Sequence, residues 1–323
     1  GQPHPRPCLW SCSSSVCCVS PTFLMINKLL LRLSRALIIA VLVLSCGLFQ
    51  MSMLSQPVLA NPASILLSSA PTPRTEMPPD IQRILDRGTL VVALLNHDNP
   101  PFFIGEAKAL GGLDIKIAQG LADALEVDLE FNRSAETFNE VVEKVYQLEA
   151  DIAISKLSRT LSRAKQVHFS HPYVTMRQGL LVNRLQLAQQ AEGNQIIEAI
   201  RNFNGNVGVI EGSSYGSFIK QKFPAATIQE YPTWDDIVAA VVNGDIQAAY
   251  RDELEIKKVI LKNPDAALRL QTIALTDTQD QIAMAIPWDS HNLQAFVNQY
   301  LDMFKLDYTA DDVLGEYADY LQE

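Results

Sequence analysis

From residue 80 onward the chain alternates short apolar runs with amphipathic stretches, joined by links of only a few residues. TLVVALL (89–95) reads as a buried strand. Gly112-Leu113-Asp114-Ile115 opens a stretch in which Ile115, Ala118, Leu121, Ala122 and Leu125 keep helical spacing. Val127, Leu129 and Phe131 alternate as a strand, Val141, Val142, Val145 and Leu148 put one face of a 138–148 helix inward, and 150–155 is a strand again. Parallel strands need a crossover, and a helix supplies it. This β-α-β-α-β order therefore predicts a parallel-rich sheet with helices on both faces. Asp80 is the expected N-cap of a first short helix ending near Gly88.

A second series of the same kind follows residue 183. Strands are expected at 206–210, 226–231, 246–250 and 281–286, and helices at 214–223, 233–242, 253–261, 291–304 and 311–321. Thr233 and Asp236 have the spacing of a capping box.

All five cysteines (Cys8, Cys12, Cys17, Cys18, Cys46) precede residue 50, so the body is expected to stand without disulfides. The net charge is -10, from 26 basic and 36 acidic residues. The first 60 residues carry four bases and no acid, which leaves 22 bases against 36 acids, or -14, beyond them. An acidic surface of this kind argues against nucleic acid as a partner. Met25 begins a basic segment, 36–44 is unbroken apolar sequence, and Val58-Leu59-Ala60 has the small-residue pattern of a cleavage site. The expected organisation is an extension (1–24), a signal peptide (25–60) and a Pro/Ser/Thr-rich linker (61–79). A lipid-modified Cys46 and an uncleaved membrane segment are the other readings of this region. P-loop, G-x-G-x-x-G and H-E-x-x-H patterns are absent from the sequence, and no cofactor or metal is expected. His168 and His171, three apart in an extended segment, are expected on opposite faces.

The stretch ADIAISKLSRTLSRAKQVHFSHPY (150–173) carries the functional signal. A buried strand runs into a Ser/Thr turn, then Arg163 at the start of a short helix, then Phe169-Ser170-His171-Pro172-Tyr173. A guanidinium fork pairs with a carboxylate, and helix N-terminal amides favour the same anion. The run resembles the signature of the family-3 extracytoplasmic solute-binding proteins, and the resemblance extends over about 82–322. It implies a two-lobed periplasmic binding protein (type II), an α/β fold with a parallel-rich sheet in each lobe. Lobe 1 would comprise 81–177 and 281–323, lobe 2 would comprise 178–280, and two crossover strands would join them. It implies a monomeric receptor that binds an amino acid or related small polar ligand and serves an ABC transporter permease, with no chemistry of its own. A sensing module on the same fold, or a cyclohexadienyl-dehydratase-like enzyme using Glu211, are the alternatives.

The same resemblance implies the site. Arg163 would hold the ligand carboxylate with Ser158, and Ser213 and Ser214 of Gly212-Ser213-Ser214 would reach it from lobe 2. Asp252, in GDIQAAYRD, would pair with the ligand ammonium; a helix N-cap is its other reading. Phe138 would form an apolar wall, and Asn99 stands where relatives have an aromatic lid. Lys156 replaces a small residue: pointing inward it would favour an anionic ligand side chain, and pointing outward it would be a surface lysine. Arg159 adds a third cation to the turn.

Overall fold

The computed structural model describes residues 76–106, 109–191 and 196–321. They belong to one structural unit, Pro73–Glu323. The expected extension, signal peptide and Cys46, with the linker up to residue 75, lie outside the described residues. Among the described residues no helix is long and apolar enough to cross a membrane.

The chain begins with helix Pro79–Arg87 and strand β1 (Thr89–Leu95), then helix Leu113–Leu125, β2 (Asp128–Ala135), helix Phe138–Tyr146 and β3 (Ile152–Ala153). A three-residue 3-10 turn, Arg163–Lys165, leads to β4 (Val167–Phe169), β5 (Val174–Met176) and β6 (Gln178–Asn183). After two short helices come β7 (Asn206–Ile210), helix Tyr215–Lys222, β8 (Thr227–Tyr231), helix Trp234–Asn243, β9 (Ala248–Asp252) and helix Glu253–Lys262. The remainder is β10 (Leu270–Ala274), β11 (Asp280–Ile282), β12 (Ala285–Pro287), helix His291–Phe304, β13 (Tyr308–Thr309) and helix Ala310–Glu316.

These strands form two five-stranded sheets, β2-β1-β3-β12-β4 and β8-β7-β9-β6-β10. In each, the three strands supplied by the β-α-β-α-β run are parallel. The fourth position is filled by an antiparallel strand that the chain delivers straight after a crossover: β12 in the first sheet, β6 in the second. The crossovers themselves, β5 and β11, pair antiparallel through Asp280↔Met176 and Ile282↔Val174, and β13 lies parallel beside β5. The molecule thus has two lobes, each with its own sheet, tied by two paired strands.

The apolar runs read as continuous because both sheet faces are covered. In the second lobe Leu180 and Val182 pack in one cluster with Val207, Val209 and Tyr250, while Leu181 and Ala249 pack with Ile237, Val241 and Ile256 on the other face. In the first lobe Ile115, Ala118, Leu121, Ala122 and Leu125 are all buried, as their spacing predicts.

Several local expectations give way to tertiary contacts. Asp80 does not cap its own helix, which starts with Pro79 after Pro78. Its Oδ2 instead accepts from the backbone N–H groups of Asn292 (2.8 Å) and Leu293 (2.9 Å), capping helix His291–Phe304 from a distance. The 138–148 helix ends at Tyr146, so Leu148 turns out in a left-handed conformation (φ 60°), half exposed. The expected 281–286 strand is two strands in two sheets, because the chain passes there from the hinge into the first lobe. Thr233 caps its helix by accepting from Asp236 N–H (3.2 Å), and Gly88 closes the first helix at φ 71°.

Candidate functional site

Ligands of open α/β sheets gather beyond the carboxyl ends of the strands. Here Phe138 follows β2, Lys156 and Ser158 follow β3, Ser213 and Ser214 follow β7, and Asp252 ends β9. With Arg163 and with Asp280 of the hinge strand β11 they enclose an inner cavity of about 20 Å³ between the lobes. Asn99 is not among them: it lines a larger cavity of about 630 Å³ further out, with Glu211, Trp234 and Arg251. There the Arg251 guanidinium lies 5.2 Å from the centre of the Trp234 ring.

Arg163 is 5 % exposed. Its Nε and Nη2 both donate to Asn139 Oδ1 (3.1 Å), Nη1 donates to Ser158 O (3.1 Å), and Nη2 reaches Gly212 O of the other lobe (3.4 Å). Burial lowers its pKa to about 10, which leaves it charged at neutral pH. Among the described residues it has no carboxylate within ion-pair distance. The helix expected to start here is only the 3-10 turn, and the Arg163 N–H already donates to Thr160 Oγ1 (3.2 Å). The guanidinium, rather than a helix end, therefore supplies the positive field.

Ser158 and Ser214 meet across the cleft, Ser214 Oγ donating to Ser158 Oγ at 2.8 Å. Ser213 turns its hydroxyl back to Ile210 O (2.6 Å). Ser214 stands at the N-cap position of its helix without making a side-chain cap. Phe138 is both wall and core: it lines the inner cavity and belongs to the first lobe's apolar cluster. Arg159 is exposed and reaches Gln281 Oε1 (3.3 Å), so it takes no part in the pocket.

Lys156 points inward. Its backbone is left-handed (φ 49°), and its N–H donates to Asp114 Oδ2 (2.8 Å). Its ammonium lies 2.7 Å from Glu255 Oε1, 3.1 Å from Asp252 Oδ2 and 4.8 Å from the centre of the Phe102 ring. Two carboxylates of the second lobe thus meet its charge, and it gives no reason to expect an anionic ligand side chain. Asp252 is equally engaged: Oδ1 accepts from Glu255 N–H (3.0 Å) as a helix N-cap, and Oδ2 faces Lys156. Burial alone would raise the Glu255 carboxyl, but Lys156, Lys258 and Arg251 outweigh it and hold the group well below its ordinary range.

The sequence reading missed Asn139, Glu255 and Asp280. Glu255 carries a signal in retrospect, three residues after Asp252 on the same first helical turn. Asp280 has none, since nothing local marks a hinge carboxylate. Its Oδ2 accepts from Tyr215 OH (2.6 Å) while burial raises its pKa to about 6. The two histidines stay apart: His168 packs on His291 (4.9 Å between ring centres), and His171 is exposed beside Asp302. Among the described residues no group of His, Cys, Asp and Glu is disposed to hold a metal. What the cleft offers chemically is a buried cation with no carboxylate in contact, hydroxyls from both lobes, and a pair of strands that joins them.

Comparison with known proteins agrees with this architecture. The sequence profile of the bacterial extracellular solute-binding proteins, family 3, matches residues 90–319. The ABC transporter arginine-binding protein 1 of Escherichia coli is 22% identical over 223 residues, 68% of this chain and 86% of that protein. The membrane-bound lytic murein transglycosylase F of Idiomarina loihiensis is 25% identical over 238 residues, and the match spans 71% of this chain but only 48% of the enzyme's length. Among solved structures, the amino acid ABC transporter substrate-binding protein AbpA of Streptococcus pneumoniae, bound to L-arginine, superposes with a TM-score of 0.60 at 26% identity, over 75% of this chain and 99% of AbpA. With the profile spanning well over half of its length and the type II sheet order in both lobes, the chain belongs to family 3 of the bacterial extracellular solute-binding proteins.

Proposed function

We propose that this protein is an extracytoplasmic receptor that holds an amino acid, or a closely related small carboxylate, between its lobes and delivers it to an ABC importer. The observation that carries the reading is Arg163, a buried guanidinium with no carboxylate partner among the described residues. A buried cation with no carboxylate in contact, and with only Asp280 acting on it through space, is costly, and a ligand carboxylate would relieve it. The names of the relatives support the ligand class: an arginine-binding transporter protein and an arginine-bound substrate-binding protein.

In this reading the walls move apart to admit the ligand head at the inner cavity, which as it stands has room for about one water, and the side chain runs toward the outer one. Ser158 and Ser214 supply hydroxyls beside Arg163. The lobe boundaries expected from the sequence, 81–177 with 281–323 and 178–280, belong to the proposal; sheet membership and the β5–β11 pairing support them. So do a monomeric state, a permease partner and export behind the 25–60 segment. The protein performs no chemical step in this reading. Glu211 is exposed at the rim of the outer cavity, away from the inner one, which makes it a poor general acid.

A thermal-shift and calorimetric screen of the twenty L-amino acids tests the proposal. At least one should bind, and Arg163→Ala should weaken it at least thirtyfold, equivalent to ~2 kcal/mol. Binding unchanged in Arg163→Ala would overturn the clamp. No binding by the wild type would overturn the receptor reading itself.

A further inference from the structure

The two carboxylates that face the inner cavity differ in what they already hold. Asp252 already has a partner on each oxygen, the N–H of Glu255 on one and the Lys156 ammonium, 3.1 Å away, on the other. Arg251 Nε stands a further 3.8 Å from the same oxygen. Lys156 is itself held by Glu255, and Glu255 by Lys258 at 3.0 Å. This network of three cations and two carboxylates already meets both carboxylates, with one positive charge in excess.

Asp280 is different. It is 1 % exposed and lines the inner cavity, with Tyr215 OH on Oδ2. Its Oδ1 is buried and has no hydrogen-bond partner within 3.5 Å; the Ser158 hydroxyl, which accepts from Ser214, stands near enough to lower the carboxyl's pKa but does not close a bond at that distance. A buried acceptor without a donor is rare and costs free energy unless something supplies one. Across the same cavity stands Arg163, whose charge is close enough to that of Asp280 for the two to interact. The cavity therefore presents one cation without a carboxylate and one carboxylate oxygen without a donor.

We propose, resting on the receptor reading above, that Asp280 rather than Asp252 accepts the ligand's α-ammonium, while Lys156 permanently fills the Asp252 subsite. The ligand head then spans from Arg163 to Asp280. An α-amino acid satisfies both ends at once: its carboxylate meets the guanidinium, and its ammonium meets Oδ1. Because Asp280 lies on β11, paired with Met176 of β5, the ligand ammonium would touch the strand pair that joins the lobes. Binding would then be read directly at the hinge, and the network from Lys156 of the first lobe to Asp252 and Glu255 of the second would serve to hold the closed walls together.

Calorimetry on the full chain decides. Each L-amino acid that binds the wild type is compared with the same molecule lacking the α-amino group: glutarate for L-glutamate, 5-guanidinopentanoate for L-arginine. Asp280→Asn keeps an acceptor for Tyr215 and removes the charge. It should weaken the amino acid at least tenfold while changing the des-amino compound by less than about threefold. Asp252→Asn should cost the amino acid less than Asp280→Asn does. In the wild type, the carboxyl ¹³C resonance of Asp280 should move on adding the amino acid and stay on adding the des-amino compound, a readout that needs no variant to fold. A larger loss in Asp252→Asn, or an unmoved Asp280 resonance at saturation, overturns the assignment and leaves the receptor reading standing. A wild type that binds no amino acid removes both.

Discussion

The Lys156 ammonium, from the first lobe, lies 3.1 Å from the Asp252 carboxylate of the second, with both side chains almost fully buried. It is an ion pair that bridges the two lobes. Breaking a buried pair from one side leaves the other charge desolvated. Asp252→Asn retains a good N-cap for helix Glu253–Lys262, so its cost should come from the lost charge alone. A loss of about 3 kcal/mol is expected by urea denaturation. Combined with Lys156→Met, the loss should be well below the sum of the single losses. Additive losses would show that the two charges are not coupled.

Asn139 presents one oxygen to both Nε and Nη2 of Arg163. Asn139→Asp is nearly isosteric and would place a carboxylate on that fork. The variant should melt a few degrees higher, since it pairs a buried cation, and should bind amino acids at least tenfold more weakly, since the internal carboxylate competes with the ligand. A variant that binds as tightly as the parent would remove Arg163 from the carboxylate site.

Asp114 is buried beneath the site, accepting from Tyr173 OH (2.8 Å) and Lys156 N–H. Burial raises its pKa from 3.8 to about 7. Between those values the folded chain binds a proton that the unfolded chain has released. The stabilisation is complete below about pH 4 and is lost as pH rises through about 7. Asp280, raised to about 6, acts in the same sense. Asp114→Asn should therefore flatten the fall in stability between pH 4 and 7, measured by denaturant unfolding across that range. An unchanged slope would mean that Asp114 titrates as an ordinary carboxylate.

Asp80 caps a helix 212 residues away in the chain. Asp80→Ala should cost about 1 kcal/mol and should lower amide exchange protection at Asn292 and Leu293. Asp80→Asn should cost only a few tenths, because an amide oxygen still accepts. Equal losses in the two variants would show that charge, rather than the cap, is what matters.

Much of the fold was legible from local pattern. Helix His291–Phe304 and strand Asn206–Ile210 fall where periodicity places them, because each has one repeat and clear ends. Glu253–Lys262 follows Asp252 as capping chemistry dictates. The arginine of the 150–173 run stood out through the resemblance of the whole run to the family-3 signature, and it is buried at the cleft.

What the sequence determined by itself is whatever depends on neighbours a few residues apart: the apolar repeat, the turn chemistry, and the order of strand and helix that requires parallel sheets. The tertiary structure decided everything that depends on charges brought together from distant segments. Lys156 and Glu255 are 99 residues apart, and Tyr215 and Asp280 are 65. Whether a lysine meets solvent or a carboxylate, and whether an aspartate caps its own helix or another, depends on which loops the two crossovers bring face to face. Coulomb energy and desolvation follow distance in space. A linear pattern carries no record of that distance, and so the pairing of the pocket's charges could not be read from it.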